Sequence, residues 1–489
     1  MRMIGDKVAY DYCAKHEAFS YQREAFLALK DKDYAAIFHE QGLGKTKIAI
    51  DLLLYWLEFR EIDTVLVVTK KQLVYNWCNE FHEHTNLVPK TIDSNRRNNF
   101  FVLNSTARVI VANFEAISSE LERIKLFAKS RNVAIIIDES VKIKNPDSKL
   151  TQNFFELSPL FKIKIIMTGT PVANRPYDIW AQIYFLDQGN SLGTNFASFK
   201  EETDLSNDLG ENEEKRARFE DVVASIFSRI QSFSIRETKD SGVIHLPNKE
   251  YHTILASFEE RQEEMYSQIR EEMQIMLRRG EAEILDESQD SIKRLLRLVQ
   301  VTSNPRLIDS SYSNISAKEA ELDLLIKCID QRGEKVIVWS IFTDNVDYFC
   351  KKYQSYGAVK ITGKMAITDR NKSVNAFVHG EAKILFATPQ SAKEGLTLTV
   401  ANNAIFYDRG FNLDDYLQAQ DRIHRISQTK TCHVYNIMVS DSIDIWIDVL
   451  LKAKQNAAFL AQGDIDRTQY QEIADYSFGD IVRQILNEQ

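Results

Sequence analysis

Short apolar runs rich in β-branched residues recur through the first half of the chain: AAIF (35–38), TVLVVT (64–69), RVIVAN (108–113), VAIIIDE (133–139) and IKIIMTGT (163–170). Longer amphipathic stretches with helical periodicity separate them. Runs that are apolar throughout, rather than alternating, predict strands buried on both faces, as in a parallel sheet covered by helices. A second series follows: EKVIVWS (334–340), AVKITG (358–363), KILFAT (383–388), NAIFYD (403–408) and CHVYNIM (432–438). The expected fold class is therefore α/β, with two parallel-sheet lobes.

The remaining segments read as helical. One insertion is expected at about 191–230. A stretch from about Glu259 to Leu298, rich in Glu, Arg, Gln and Leu, follows Leu246-Pro247 as a connecting element, and the end of the chain reads as one or two helices broken at Gly463. These bounds predict an N-terminal lobe over 1–245, a helical linker over 246–310, a C-terminal lobe over 311–455 and a helical tail over 456–489. Neither a solenoid repeat nor a low-complexity linker is visible.

Length and composition agree with that division. At 489 residues the chain exceeds one ordinary core, and its 44% hydrophobic and 27% charged residues are those of a globular protein. No stretch has the length of a membrane span, and the N-terminal MRMIGDKVAYDYCAKHEAF lacks the apolar core of a signal peptide. The expectation is a cytoplasmic protein of a microbe or of a virus's host, the nucleus being the alternative, with no membrane partner. The five cysteines form no Cys-x-x-Cys pair, which points to reduced thiols rather than a zinc ribbon or a disulfide framework. A net charge of −9 argues against a protein that coats nucleic acid over its whole surface but permits a local basic groove, since part of the acidic excess lies in EETDLSNDLGENEEKRARFED (201–221), read as a solvated face. In His82-Glu83-His84 the two histidines sit at i and i+2 of a helix and face apart, so no metal site is expected there.

Three groups of residues carry chemistry. Gly42-Leu43-Gly44-Lys45-Thr46 follows the apolar AAIF and opens the helical KIAIDLLLYWL (47–57), the strand–loop–helix context of a phosphate cradle. In such a cradle Lys45 neutralises the outer phosphates of ATP and Thr46 binds magnesium. His39 stands where the general pattern has its first glycine. Asp138-Glu139 ends the strand VAIII at the carboxyl edge of the sheet, where Asp138 can hold magnesium and Glu139 can orient and deprotonate water. Far along the chain, QAQDRIHRI (418–426) carries Arg422 and Arg425 three residues apart, expected on one helix face, as cations for charge developing on the γ phosphate.

With these motifs in view, the chain resembles the Swi/Snf-type ATPases, the double-stranded-DNA translocases of helicase superfamily two. HEQGLGKT, DESVKIKNP, TGTPVANRPYDIW, SIRETKD and QAQDRIHRISQTK occur in family order from about Tyr21 to Val449. The resemblance implies two RecA-like lobes around an ATP cleft. It implies that Gln22 reads adenine, that Thr168-Gly169-Thr170 links hydrolysis to movement with Asn174 and Trp180 continuing the motif, and that Gln418, Arg422 and Arg425 form the final motif. Trp180 is expected in the core and His424 as a structural hydrogen-bonding residue. Glu394 and Gly395 are carried over from a stretch that departs from the family, with Lys393 at a usual glycine and Thr397 at a usual asparagine. Val141 replaces a usual histidine in the acidic motif, so that coupling to neighbouring motifs must be weaker or supplied otherwise.

For nucleic acid, the expected contacts lie at strand ends of both lobes: Lys70 and Lys71, Asn113, Ser340 and Phe342, and Thr388, reaching sugar and phosphate rather than base edges. Arg278, Arg279, Lys293, Arg294 and Arg297 are candidates to extend that track. The implied activity is ATP-driven movement along duplex DNA by a monomer, with the helical insertions offering surface to a protein partner. A strand-separating helicase acting on DNA or RNA and an ATP-gated clamp are the competing readings.

Overall fold

The computed structural model describes residues 10–205, 209–210, 212–244, 246–278, 289–391 and 396–474. They fall into two compact units. The first comprises Met1–Val172, Tyr177–Lys200 and Ser225–Val243, and the second Ala173–Pro176, Glu201–Ala224 and Ile244–Gln489.

In the first unit, β1 (Tyr34–Ile37), β2 (Thr64–Thr69), β3 (Lys90–Ile92), β4 (Val109–Asn113), β5 (Val133–Asp138), β6 (Ile163–Met167) and β7 (Ser234–Ile235) form one sheet. Its order is β3-β4-β2-β5-β6-β1-β7, and every pairing is parallel. All six residues of β2 and of β5 are buried, as uninterrupted apolar runs require. Ile48, Leu52, Leu53 and Trp56 of the helix Lys45–Phe59 pack with Val65, Val67 and Ile136 in one core. Each such fully buried aliphatic side chain contributes about 1.5–3 kcal/mol, which anchors the helix that begins at the phosphate-cradle motif.

The second unit holds β8 (Lys249–Ala256), β9 (Val336–Trp339), β10 (Ala358–Ile361), β11 (Ile384–Ala387), β12 (Asn403–Phe406) and β13 (Cys432–Val439), in the order β10-β11-β9-β12-β13-β8 and again all parallel. Successive residues of β9 enter different cores, Ile337 and Trp339 one and Val336 and Val338 the other, so both faces of this sheet are covered.

Every apolar run singled out in the sequence contains a strand, and the α/β class with two parallel sheets is what the chain adopts. Three edge strands lie outside the expected runs: Lys90–Ile92 and Ser234–Ile235 at the two edges of the first sheet, and Lys249–Ala256, within the stretch read as a helical linker, at the edge of the second. An edge strand pairs on one side only and tolerates polar residues at most positions, so its pattern carries little signal. The other helical expectations correspond to Phe196–Thr203, Glu213–Ile230, Glu260–Arg278, Gln289–Ser303, Ile443–Gln462 and Arg467–Ile473. Gly463 ends the penultimate helix at φ +73°, a left-handed conformation that glycine adopts without penalty. Two carboxylates of the acidic run, Asp204 and Glu220, are buried rather than solvated. Glu220 accepts from Arg467 Nε at 2.9 Å and Gln471 Nε2 at 2.6 Å, docking the last helix. Among the described residues no helix is long and apolar enough to cross a membrane, and all five cysteines are free thiols.

Candidate functional site

The cradle motif is built where β1 turns into the helix Lys45–Phe59. Gly42 and Gly44 have φ of +91° and +69°, the left-handed region in which a side chain is strained, and no side chain caps the helix N-terminus. Lys45 Nζ donates to the carbonyls of His39 at 2.9 Å and Glu40 at 3.2 Å. Gln22 lies against this loop: a Cβ on Gly44 would stand 2.2 Å from Gln22 Nε2. The preceding Tyr21 donates its hydroxyl to the Leu43 carbonyl at 3.2 Å. A Cβ on Gly169 would meet Gln41 Cγ at 2.7 Å and Lys45 Nζ at 3.4 Å, so the turn Thr168-Gly169-Thr170 also packs onto the cradle. Just after β7, Arg236 Nη1 donates to the Phe38 carbonyl at 2.9 Å and the Lys239 N–H to Glu40 Oε2 at 2.8 Å, which brings SIRETKD to the same loop. Burial, aided by the cations Lys45 and Arg236, lowers the His39 pKa to about 4, so this imidazole is neutral at pH 7.

The acidic pair stands at the end of β5. Asp138 Oδ2 accepts from Trp77 Nε1 at 2.8 Å and Thr69 Oγ1 at 3.0 Å. Burial pushes its carboxyl above the usual range and the neighbouring Glu139 adds to this, against the pull of Trp77, Thr69 and Lys45. Glu139 has φ +55°, a strained conformation for a residue with a side chain and of the kind that collects at functional sites. Its carboxylate meets Lys70 Nζ at 3.3 Å.

Beyond this pair, Val141 is buried and apolar, but its neighbour carries a polar link. Ser140 Oγ donates to Gln182 Oε1 at 2.7 Å, and Gln182 Nε2 donates to the carbonyls of Pro171 at 2.8 Å and Asp178 at 2.9 Å. Ser140 and Gln182 are wholly buried, and Pro171 directly follows Thr170. The acidic motif and the turn at Thr168–Thr170 are thus joined through Gln182, a residue that the sequence reading missed because nothing in its local pattern marks it.

In the second unit the helix Leu413–Gln420 carries Gln418, which is buried and donates to Asp414 Oδ1 at 2.8 Å. The helix ends at Gln420. Arg422 and Arg425 therefore lie in the turns that follow rather than on the expected helix face. Arg422 is 2% exposed, with Nη1 directed to the Leu396 carbonyl at 3.5 Å, while Arg425 donates to Thr397 Oγ1 at 2.9 Å and the Asp421 carbonyl at 3.0 Å. The turns form because side chains and backbone outside the helix hold them: Gln428 Nε2 bonds the carbonyls of Ile423 and Ala401, and Leu398 N–H bonds the Arg422 carbonyl. His424 Nε2 is 2.9 Å from the Pro247 carbonyl, a structural contact as expected. Asn174, also in this unit, joins the start of the helix: its amide donates to Asn412 Oδ1 at 3.0 Å and accepts from the Leu413 N–H at 2.8 Å. Glu394 and Gly395 lie outside the described residues.

The expected nucleic-acid contacts divide by environment. Lys71 is exposed, and Lys70 is shared with Glu139. Asn113 is buried and caps the helix Phe114–Ser119 through a 2.7 Å bond from the Ala116 N–H. Ser340 is buried and donates to Asp408 Oδ2 at 2.6 Å, Phe342 is half-buried in an apolar cluster, and Thr388 is buried. Arg297 is exposed, whereas the side chains of Arg278, Arg279, Lys293 and Arg294 lie outside the described residues. Trp180 is buried in an aromatic group with Tyr184 and Phe196, in the core as expected.

An uncapped helix N-terminus behind a glycine loop, a lysine at its first turn and an acidic pair with one buried member at the end of β5 in the same sheet mark a P-loop-type nucleotide-binding protein. The sequence matches the SNF2-related domain over residues 25–307 and the helicase conserved C-terminal domain over 320–427. The chain belongs to the SNF2-related family. Among its relatives, an uncharacterized ATP-dependent helicase of Mycoplasma pneumoniae is 26% identical over 89% of this chain and 42% of that protein. An ISWI chromatin-remodeling complex ATPase of Saccharomyces cerevisiae is 27% identical over 85% of this chain and 37% of its own length. The chain thus spans about two fifths of the length of these relatives. The Sulfolobus solfataricus SWI2/SNF2 ATPase core in complex with dsDNA aligns with 21% identity and a TM-score of 0.44, covering 96% of this chain and 99% of that one.

Proposed function

We propose that the chain is a DNA-dependent ATPase that moves along double-stranded DNA and displaces or remodels what is bound there. The observation that supports this most is the convergence of Gln22, Gly42 to Thr46 and Thr168-Gly169-Thr170 on one loop, in a chain of the SNF2-related family whose β5 ends in Asp138-Glu139. These residues fit a nucleoside triphosphate with magnesium. The helix N-terminus and Lys45 are anion donors, and Thr46 and the buried Asp138 offer the hard oxygen ligands that magnesium prefers. Bound magnesium would neutralise charge on the β and γ phosphates.

The protein's own groups then have distinct tasks. Gln22 binds adenine through its amide, which both donates and accepts. Lys45 binds the outer phosphates. Glu139 orients the attacking water and takes its proton, and Lys70, 3.3 Å away, holds that carboxylate in place. Arg422 and Arg425 supply positive charge to the γ phosphate in the transition state. Glu394 and Gly395 belong to the same proposed set by resemblance. The relay from Ser140 through Gln182 to Pro171 carries changes at the acidic pair to the turn at Thr168–Thr170, the role that Val141 leaves vacant. For duplex DNA, Lys70 and Lys71 are the charged candidates. Asn113, Ser340, Phe342 and Thr388 contribute by shaping the strand ends, and backbone groups there meet sugar and phosphate.

ATP hydrolysis measured with single-stranded, duplex and forked DNA and with RNA tests the reading. Duplex is expected to stimulate most, and Lys45→Ala, Glu139→Gln and Arg425→Ala each to lower kcat by at least ~100-fold. Undiminished hydrolysis in all three would sink the proposal. Triplex displacement without fork unwinding marks the duplex translocase, unwinding marks a strand-separating helicase, and binding without sustained turnover marks a clamp.

A further inference from the structure

A second cluster of polar side chains lies on the second sheet and takes no part in the proposed nucleotide chemistry. The edge strand β8 pairs with β13 in a register that sets Glu250 beside His433 and His252 beside Tyr435. Side chains two apart on a strand share a face, so Glu250, His252 and His433 converge although 181 residues separate the two histidines. His252 Nε2 is 3.2 Å from His433 Nδ1. Glu250 Oε2 stands 3.4 Å from His433 Nδ1 and 3.9 Å from His252 Nε2.

We propose that Glu250, His252 and His433 form a binding site for a divalent transition ion of the zinc class. A tetrahedral ion with bonds of about 2.0–2.1 Å holds its ligand atoms about 3.3 Å apart. Two of the three separations match that edge, and the third closes with a shift of roughly half an ångström, within the reach of the half-exposed Glu250 carboxylate. Two imidazoles and one carboxylate form a donor set suited to zinc and its neighbours rather than to calcium or magnesium. Tyr435 stacks on His252 with ring centroids 4.7 Å apart and planes at 22°, which holds the imidazole in the ligating orientation. All three ligand side chains are partly exposed, which leaves a fourth coordination position to water. An ion there would pin the edge strand to its neighbour, closing a strand end that is otherwise held on one side only.

The competing arrangement is an imidazole–imidazole hydrogen bond, which needs one N–H and one lone pair; an ion takes both lone pairs. The untagged full chain, stripped with a chelator, is titrated with Zn²⁺ by calorimetry and with Co²⁺ by visible absorption. One equivalent of zinc per chain, a four-coordinate cobalt spectrum and a thermal midpoint that rises with zinc are expected. His433→Ala, His252→Gln and Glu250→Gln should each weaken binding by ~10-fold or more, while His82→Ala leaves it unchanged. Circular dichroism verifies that the variants fold, and Glu250→Gln alters only a half-exposed side chain. Absence of stoichiometric zinc binding, or binding that all three variants retain, overturns the proposal and leaves a hydrogen-bonded pair only. ATP hydrolysis is not the readout, so this result stands apart from the proposed translocase activity.

Discussion

Asp138 illustrates what a single residue gives up for chemistry. Its buried carboxylate has a raised pKa, so the folded protein binds its proton more readily than the unfolded chain does, and the stability this provides is lost as pH rises through the folded value. The charged form opposes folding. Asp138→Asn keeps an acceptor for Trp77 and Thr69, so it is expected to raise the thermal midpoint while lowering ATP hydrolysis by at least ~100-fold, read by calorimetry and a turnover assay. His39 works in the opposite direction. Its pKa falls from 6.5 to about 4 on folding, so its contribution is present above pH 6.5 and is lost as pH drops toward 4, because the unfolded chain takes up the proton first. Urea unfolding should show about 2 kcal/mol of stability lost between about pH 7 and about pH 5 from this group, and His39→Gln should flatten the curve by that amount.

Among the elements, the connection between the end of β5 and the turn after β6 is the one to which the proposed function assigns the coupling of hydrolysis to movement. Gln182 makes three buried hydrogen bonds there, and Gln182→Leu would strand the Ser140 hydroxyl and two carbonyls. A loss of about 1–3 kcal/mol of stability is expected. A larger relative fall is expected in triplex displaced per ATP hydrolysed than in hydrolysis itself, and equal falls in both would reduce Gln182 to a packing residue. The strands were legible because uninterrupted apolar runs are a local signal, and so was the cradle, whose residues are contiguous. The edge strand β8 and the end of the helix at Gln420 were not. Both are set by partners distant in sequence: β13 pairs with the first, and contacts such as that of Gln428 to the Ala401 carbonyl hold the turns after the second.

For the whole molecule, the net charge of −9 means that binding to a duplex must rest on a few local cations rather than on a general field. Binding is then expected to weaken linearly in log–log form with salt, and Lys71→Ala to reduce the slope by about one, measured by fluorescence anisotropy on a duplex of random sequence. Sequence preference should not change, since such a contact reaches phosphate.

The amino-acid sequence by itself determined the α/β class, the two series of strands, the phosphate cradle and the acidic pair, because each rests on residues adjacent or periodic along the chain. Only the tertiary structure decided that Gln22 and Gly169 close on Gly44 and Lys45, that Ser140 reaches Pro171 through Gln182, and that Glu250 and His252 meet His433. Those contacts come from strand register and helix packing, which place residues tens to hundreds of positions apart within a few ångströms and leave no periodicity to read.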